Sequence, residues 1–232
     1  MFHSMNVATL AEDAARAIRA NPLKAKAGAL FHDIGKLSNP GYFVENNIHS
    51  PAEHDQLQPR QSAAIIREHV SEGAVLGRKH RLSRFIRDAI TTHHGDDLVS
   101  FFYRKALEAH EQNPGSPPVF ESELRYNGEV PSEKELSIIS LADACEAACR
   151  SLKDPTETSI RDMVNNIFIH RFRQGQLRDS KLSLEELYTV RECFIKDLVN
   201  FNHGRIAYNK ENKNDSAEQS VVLPKPESSE KK

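Results

Sequence analysis

The sequence predicts an all-α fold, a helical bundle joined by long proline-rich loops and ending in a disordered C-terminal tail. Three observations carry that expectation. Apolar residues recur at helical spacing in several segments, each bounded by capping or stop signals. No segment sustains the alternation of β-branched residues that a half-buried strand needs. From Asn209 onward the chain turns to Lys, Glu, Asn and Ser with Pro224 and Pro226, a composition that cannot bury enough surface to offset its ordering entropy. The expected division is one domain over residues 1–208 and a polar tail over 209–232, with no internal repeat.

The elements follow in order. From about Ser4 to Ala20, Val7, Leu10, Ala11, Ala14, Ala17 and Ile18 form one stripe. Asn21-Pro22 reads as an N-cap followed by proline at the first helical position, opening a helix through Leu23, Ala27, Leu30 and Phe31 that should stop at Gly35. A loop from Ser38 to Gln58 precedes a helix opened by Pro59 and carrying Ala63, Ile66 and Val70. Ser83 caps a helix bearing Phe85, Ile86, Ala89 and Ile90 that ends at Gly95, and another is expected from about Asp96 to Gln112. Pro114, Pro117 and Pro118 mark the stretch up to Pro131 as a long loop. Ser132 and Glu135 fit a capping box for the helix of Leu136, Ile139, Ala142 and Cys149. Two last helices are expected near Ser159–Gln174 and Leu184–His203, the second with its own box in Ser183 and Glu186.

Composition narrows the function. Among 232 residues, 31 Lys and Arg face 33 Asp and Glu, for a formal charge of -2. That balance leaves no electrostatic footprint for a long polyanion, so a nucleic-acid polymer is not an expected partner. No apolar run approaches the ~18–20 residues that span a bilayer, and no signal peptide opens the chain, so a soluble, cytoplasmic domain is expected. Cys145, Cys149 and Cys193 fit neither a disulfide framework nor a Cys-x-x-Cys zinc site; the first two are expected to be small core residues.

The informative number is 11 histidines. His32-Asp33 ends a helix whose preceding residues, Ala27 to Phe31, are nearly all small or apolar, so the pair enters a core. A buried imidazole and carboxylate need partners, and a divalent cation is a strong one. His3, His69, the pair His93-His94 and Asp143 offer further nitrogen and oxygen ligands from separate helices. Each has a plainer alternative: a terminal residue for His3, a capping histidine for His69, a salt-bridged core acid for Asp143. Together they fit a dinuclear site better than independent coincidences do.

The strings Gly28-Ala29-Leu30-Phe31-His32-Asp33-Ile34-Gly35-Lys36, Tyr42-Phe43-Val44-Glu45-Asn46, His54-Asp55 and Ser62 to Val70 extend the pattern. So do His93-His94-Gly95, Phe102-Tyr103, Arg125-Tyr126 and Ile138 to Asp143. With His3-Ser4, they make residues 3–208 resemble the HD-domain metal-dependent phosphohydrolases, and within them the cytosolic catalytic domain of the seven-transmembrane HD-domain cyclic-di-AMP phosphodiesterases. The related cyclic-di-GMP enzymes carry Gly-Tyr-Pro downstream of the paired histidines. Here His94 is followed by Gly95-Asp96-Asp97-Leu98, which disfavours that substrate. The family places an extracellular domain and a membrane bundle ahead of this domain, so the chain is expected to be the excised catalytic part of a membrane-anchored protein.

The resemblance implies one metal on His3, His32, Asp33 and Asp143, and a second on Asp33, His69, His93 and His94, with Asp33 bridging. It implies a dinuclear phosphodiesterase that converts cyclic-di-AMP to pApA by in-line attack of a metal-bridging hydroxide on phosphorus. The thiolate-free ligand set suits Mn²⁺ or Fe²⁺, and Zn²⁺ also fits. Lys36 is expected to offer a cation to the phosphate, and Arg125 and Tyr126 a guanidinium and a stacking ring for the substrate. His3, so near the chain start, is expected to be held by the metal alone. His54-Asp55 reads as a rim element, and His49, His80, His110 and His170 as surface or structural; His203 has no assigned role. A di-iron oxygenase of the same superfamily, or hydrolysis of another nucleotide or small phosphate ester, stands as the alternative. Oligomeric state is not legible.

Overall fold

A computed structural model of the chain describes residues 2–43, 53–113 and 115–202. His49, His203, Val44-Glu45-Asn46, the Asp55 side chain and the expected tail lie outside the described residues. The described residues form eight α-helices: α1 Phe2–Ala17, α2 Pro22–Phe31, α3 Pro59–Lys79, α4 Arg84–Thr92, α5 Ser100–Gln112, α6 Lys134–Arg150, α7 Glu157–Arg173 and α8 Leu184–Phe201. Short 3-10 turns occupy Ile34–Leu37, Pro40–Tyr42, Glu53–Gln56 and Glu121–Leu124. Among the described residues there is no strand, only an isolated antiparallel bridge between Leu98 and Arg125. The all-α expectation holds.

The axis of the fold is α6, buried continuously from Leu136 to Asp143. Against it lies α1, whose Ala8, Ala11, Ala14 and Ala15 are fully packed and let two helix backbones approach closely. Val190, Phe194 and Leu198 of α8 and Ile160 and Val164 of α7 complete this core. Each such aliphatic or aromatic side chain contributes ~1.5–3 kcal/mol on burial. A smaller apolar cluster of Ala63, Phe102 and Leu124 joins α3, α5 and the turn Glu121–Leu124. Cys145 and Cys149 sit in the main core as small apolar side chains, as expected.

Local rules placed most boundaries. The Asn21 side chain accepts from Lys24 N with Pro22 at the first helical position. Ser183 and Glu186 form the reciprocal box expected of them. Ser132 and Glu135 do not. α6 starts after Glu133, and Glu135 instead accepts the backbone N–H of Asn21 at 2.9 Å, tying α6 to the start of α2. Nor does a helix begin at Asp96. Leu98 is drawn into its bridge with Arg125, with Tyr126 N donating to Asp97 O at 2.8 Å, so α5 starts only at Ser100. At the chain start α1 begins at Phe2 rather than Ser4, which puts His3 inside the helix. α2 ends at Phe31, and Gly35 belongs to the following 3-10 turn.

Candidate metal centre

Three helix ends and two helix middles converge on one point. His32 and Asp33 follow α2, His69 lies on α3, His93 and His94 follow α4, Asp143 lies mid-way along α6, and His3 enters from α1. Two glycines make this possible. Gly35 lets the turn after Asp33 lie directly on α3; a Cβ there would stand 1.8 Å from the His69 carbonyl oxygen and 2.5 Å from Gly73 N. Gly95, at φ +54, turns the chain sharply after His94, a conformation open to glycine at little cost.

The donors form two groups, His3, His32, Asp33 and Asp143 on one side and His69, His93 and His94 on the other. Asp33 faces both. Its Oδ2 lies 3.2 Å from His32 Nε2 and 3.4 Å from His3 Nε2, while its Oδ1 lies 3.4 Å from His69 Nε2 and 3.7 Å from His93 Nε2. Asp143 Oδ1 is 3.1 Å from His3 Nε2 and 3.5 Å from His32 Nε2, and its Oδ2 is 3.8 Å from His94 Nδ1. Lys36 Nζ, one turn on, sits 2.6 Å from Asp33 Oδ2.

Three imidazoles are oriented in one way. His32 Nδ1 donates to Ala29 O, His69 Nδ1 to Ile66 O and His93 Nδ1 to Ile90 O, each a carbonyl three residues back. With Nδ1 donating to a carbonyl, Nε2 is in each ring the nitrogen aimed inward, and it is a bare lone pair in the neutral rings of His69 and His93. His69 Nε2 and His93 Nε2 then face each other at 3.2 Å, two lone pairs that repel unless a cation lies between them. His3 Nε2, His32 Nε2 and Asp33 Oδ1 are likewise buried without a hydrogen bond of good geometry. Separations of 3.1–3.7 Å between donors are those of ligands arranged around cations at ~2.0–2.2 Å. The donor set fits divalent metals.

The electrostatics differ between the two sides. Burial opposes a charged His3, but the close carboxylates of Asp143, Asp33 and Glu146 outweigh it and hold the imidazole up at about 11. His32 is held at about 9 against burial by the charges of Asp33 and Asp143. Asp33 and Asp143 stay well below the usual carboxylate range: burial works against this, but His32 and Lys36 at the first, and His3 and His32 at the second, overcome it. Across the centre, burial together with neighbouring imidazoles pushes His93 down to about 3 and His94 well below the ordinary value.

Residues expected around the substrate divide. Tyr126 is buried and stacks on His94, ring centroids 4.3 Å apart. Arg125 is turned elsewhere: its guanidinium donates to Asp96 O, Glu121 and Gln174 and holds the loop together. The cation on the open side is Arg67, which no pattern in the sequence singles out. It lines a cleft of about 760 Å³ with Ser71, Thr91, His94, Tyr126 and Asn127. His54 is buried between Tyr42 and Phe102 and bonds Tyr42 O through Nε2, so it supports the rim instead of joining the donors. His110 bonds Ser116, His80 caps α3, and His170 faces Asp97. Glu146, also unremarked in the sequence, is hydrogen-bonded to His3 Nδ1, so His3 is not held by a metal alone.

The HD domain family model matches residues 2–148, the stretch that carries every one of these donors. The chain belongs to the HD domain family. As an HD domain it is 46% identical over 209 residues to the uncharacterized protein slr0104 of Synechocystis, covering 90% of this chain and 26% of that protein. It is 39% identical over 206 residues to the cyclic-di-AMP phosphodiesterase PgpH of Listeria monocytogenes, covering 89% of this chain and 28% of that one. The chain thus spans about a quarter of the length of the curated relatives it matches. The crystal structure of the Listeria PgpH HD domain in complex with cyclic-di-AMP superposes with a TM-score of 0.81 at 38% identity, over 86% of this chain and 91% of that chain. No helix among the described residues is long and apolar enough to cross a membrane.

Proposed function

We propose that this HD domain is a dinuclear metal-dependent phosphodiesterase that opens cyclic-di-AMP to pApA. The observation that carries the reading is Asp33, whose two oxygens each face a separate donor group within 3.2–3.7 Å. His3, His32 and Asp143 would complete one site; His69, His93 and His94 the other. Mn²⁺ or Fe²⁺ suits this oxygen-and-nitrogen set. When bound, two such cations supply Lewis-acid charge for a scissile phosphate and an activated water as nucleophile.

The chain's own residues do the rest. Asp33 and Asp143 stay ionised and present oxygens, and the hydrogen bonds from Nδ1 to Ala29, Ile66 and Ile90 fix the ring planes of three imidazoles. Lys36, beside Asp33, places an ammonium where an anionic phosphate would lie. The cleft beside His94 has the size of a small-molecule site, and Arg67 supplies it with a guanidinium for the second phosphate of a cyclic dinucleotide. The Tyr126 ring, packed on His94, forms an aromatic wall between cleft and donors. The substrate is what the Listeria PgpH HD domain holds in its crystal structure, at 38% identity across most of this chain. A cytoplasmic setting follows from a nucleotide substrate.

Product analysis tests the reading. Protein loaded with Mn²⁺ and incubated with cyclic-di-AMP should yield pApA, with cyclic-di-GMP turned over far more slowly. Absence of a linear dinucleotide from protein carrying two metals per chain would overturn it.

A further inference from the structure

Three of the four imidazoles that point Nε2 into the centre from a helix or helix end use a backbone carbonyl of their own segment to hold the ring. His3 does not. It stands in the first turn of α1, and its Nδ1 meets the Glu146 carboxylate, contributed by α6 from 143 residues away in sequence. Glu146 lies three residues beyond Asp143, on the same helix face, and is itself 5% exposed. Its second oxygen accepts from Asn6 Nδ2 at 3.2 Å, one turn after His3 on α1. The carboxylate is therefore fixed at both oxygens. A carboxyl buried here costs free energy unless it is put to use by the groups it touches.

We infer that Glu146 is a positioning residue for the carboxylate-rich metal site, acting through His3 and itself held by Asn6. This rests on the reading above of these donors as a metal centre. A carboxylate on Nδ1 fixes the tautomer so that Nε2 carries the lone pair, fixes the ring plane, and makes the imidazole a stronger donor than a carbonyl partner would. The contact also latches the start of α1 onto the helix that carries Asp143. Two ligands of one site are thereby tied to a single segment of α6. The site of His69, His93 and His94 has no such link to Glu146.

The test compares metal affinities at the two sites in the full chain, stripped with chelator and titrated with Mn²⁺ against a fluorescent competitor. Glu146→Gln keeps the size and the ability to accept a hydrogen bond but removes the charge. It should bind two metals, with one affinity weakened about 10–100-fold and the other unchanged. Asn6→Ala should weaken the same affinity by less. Co²⁺ absorption should change only in the band assigned to the weakened site, while Glu146→Asp should recover part of the loss. The inference is overturned if Glu146→Gln leaves both affinities unchanged, or if it weakens both equally together with the melting temperature. A wild-type chain that binds a single metal would sink the dinuclear reading but not this one, which would then stand or fall on whether Glu146→Gln weakens that single affinity. Glu146→Gln is near-isosteric, so the outcome does not depend on whether Glu146→Ala folds.

Discussion

Asp33 is the residue whose oxygens face both donor groups, and under the dinuclear proposal its loss should act on both. Asp33→Ala is expected to abolish hydrolysis and to empty both sites, checked by metal content of the purified protein alongside turnover. His69→Ala and His94→Ala touch only one group, so each should keep one metal and the wild-type fold while activity falls by orders of magnitude; two metals per chain in either variant would contradict the assignment. Protonation separates the groups further. His3 and His32 are held at about 11 and about 9 by their carboxylates, so at pH 7.5 the metal-free protein carries protons there that a cation must displace. His93, pushed to about 3, carries none. Metal loading should release about two protons per chain, all from the carboxylate-rich side. Affinity at that side should therefore rise with pH between 6 and 9, while the imidazole side stays flat. Calorimetry in buffers of different ionisation enthalpy measures the release, and heats that do not vary with buffer would refute it.

At the scale of elements, the site depends on how closely the turn after Asp33 lies on α3. Gly35 permits that contact, and any Cβ there meets backbone, which has no side-chain rotamer by which to yield. Gly35→Ala should cost about 3 kcal/mol or more in denaturant unfolding and also weaken metal binding, because the strain separates Asp33 from His69. A variant with wild-type stability and wild-type metal content would show that the approach is looser than described. Elements are also where sequence and structure part company. Ser183 and Glu186 act as the local box their spacing suggests, because the distant donor Lys134 takes one Glu186 oxygen and leaves the other to Ser183 N–H. The same spacing at Ser132 and Glu135 is overridden by a distant donor, Asn21 N–H. Local pattern reads an element's existence well and its boundary poorly where a tertiary partner takes the capping group itself. The candidate donors were legible for a different reason: buried His and Asp are rare types in costly places, and several together share one explanation. Glu146 and Arg67 were not, because a glutamate or arginine on a helix looks like solvated surface until the packing of α1 on α6, or the open face of α3, is known. Arg125 shows the converse, a guanidinium in the right segment that the fold turns toward Asp96 and Gln174.

For the whole molecule, the α1–α6 core and the long loop from α5 to α6 do different work. The core fixes the candidate donors from helices that are far apart in sequence, so their geometry inherits the rigidity of packed helices. The loop, pinned by the bridge between Leu98 and Arg125, lays Tyr126 over His94 and walls the cleft. Arg67→Ala should then raise KM for cyclic-di-AMP about tenfold with little change in metal content, since its guanidinium lines the cleft, with one N–H on Arg125 O at 2.8 Å, and touches none of the donors. An unchanged KM would place the second phosphate elsewhere. The central claim is that two cations, sharing Asp33, act together on one phosphodiester. Titrating chelator-stripped protein with Mn²⁺ while following pApA formation tests it most directly. The account predicts that activity stays near zero through the first equivalent and rises with the second. Full activity reached at one equivalent per chain would contradict it.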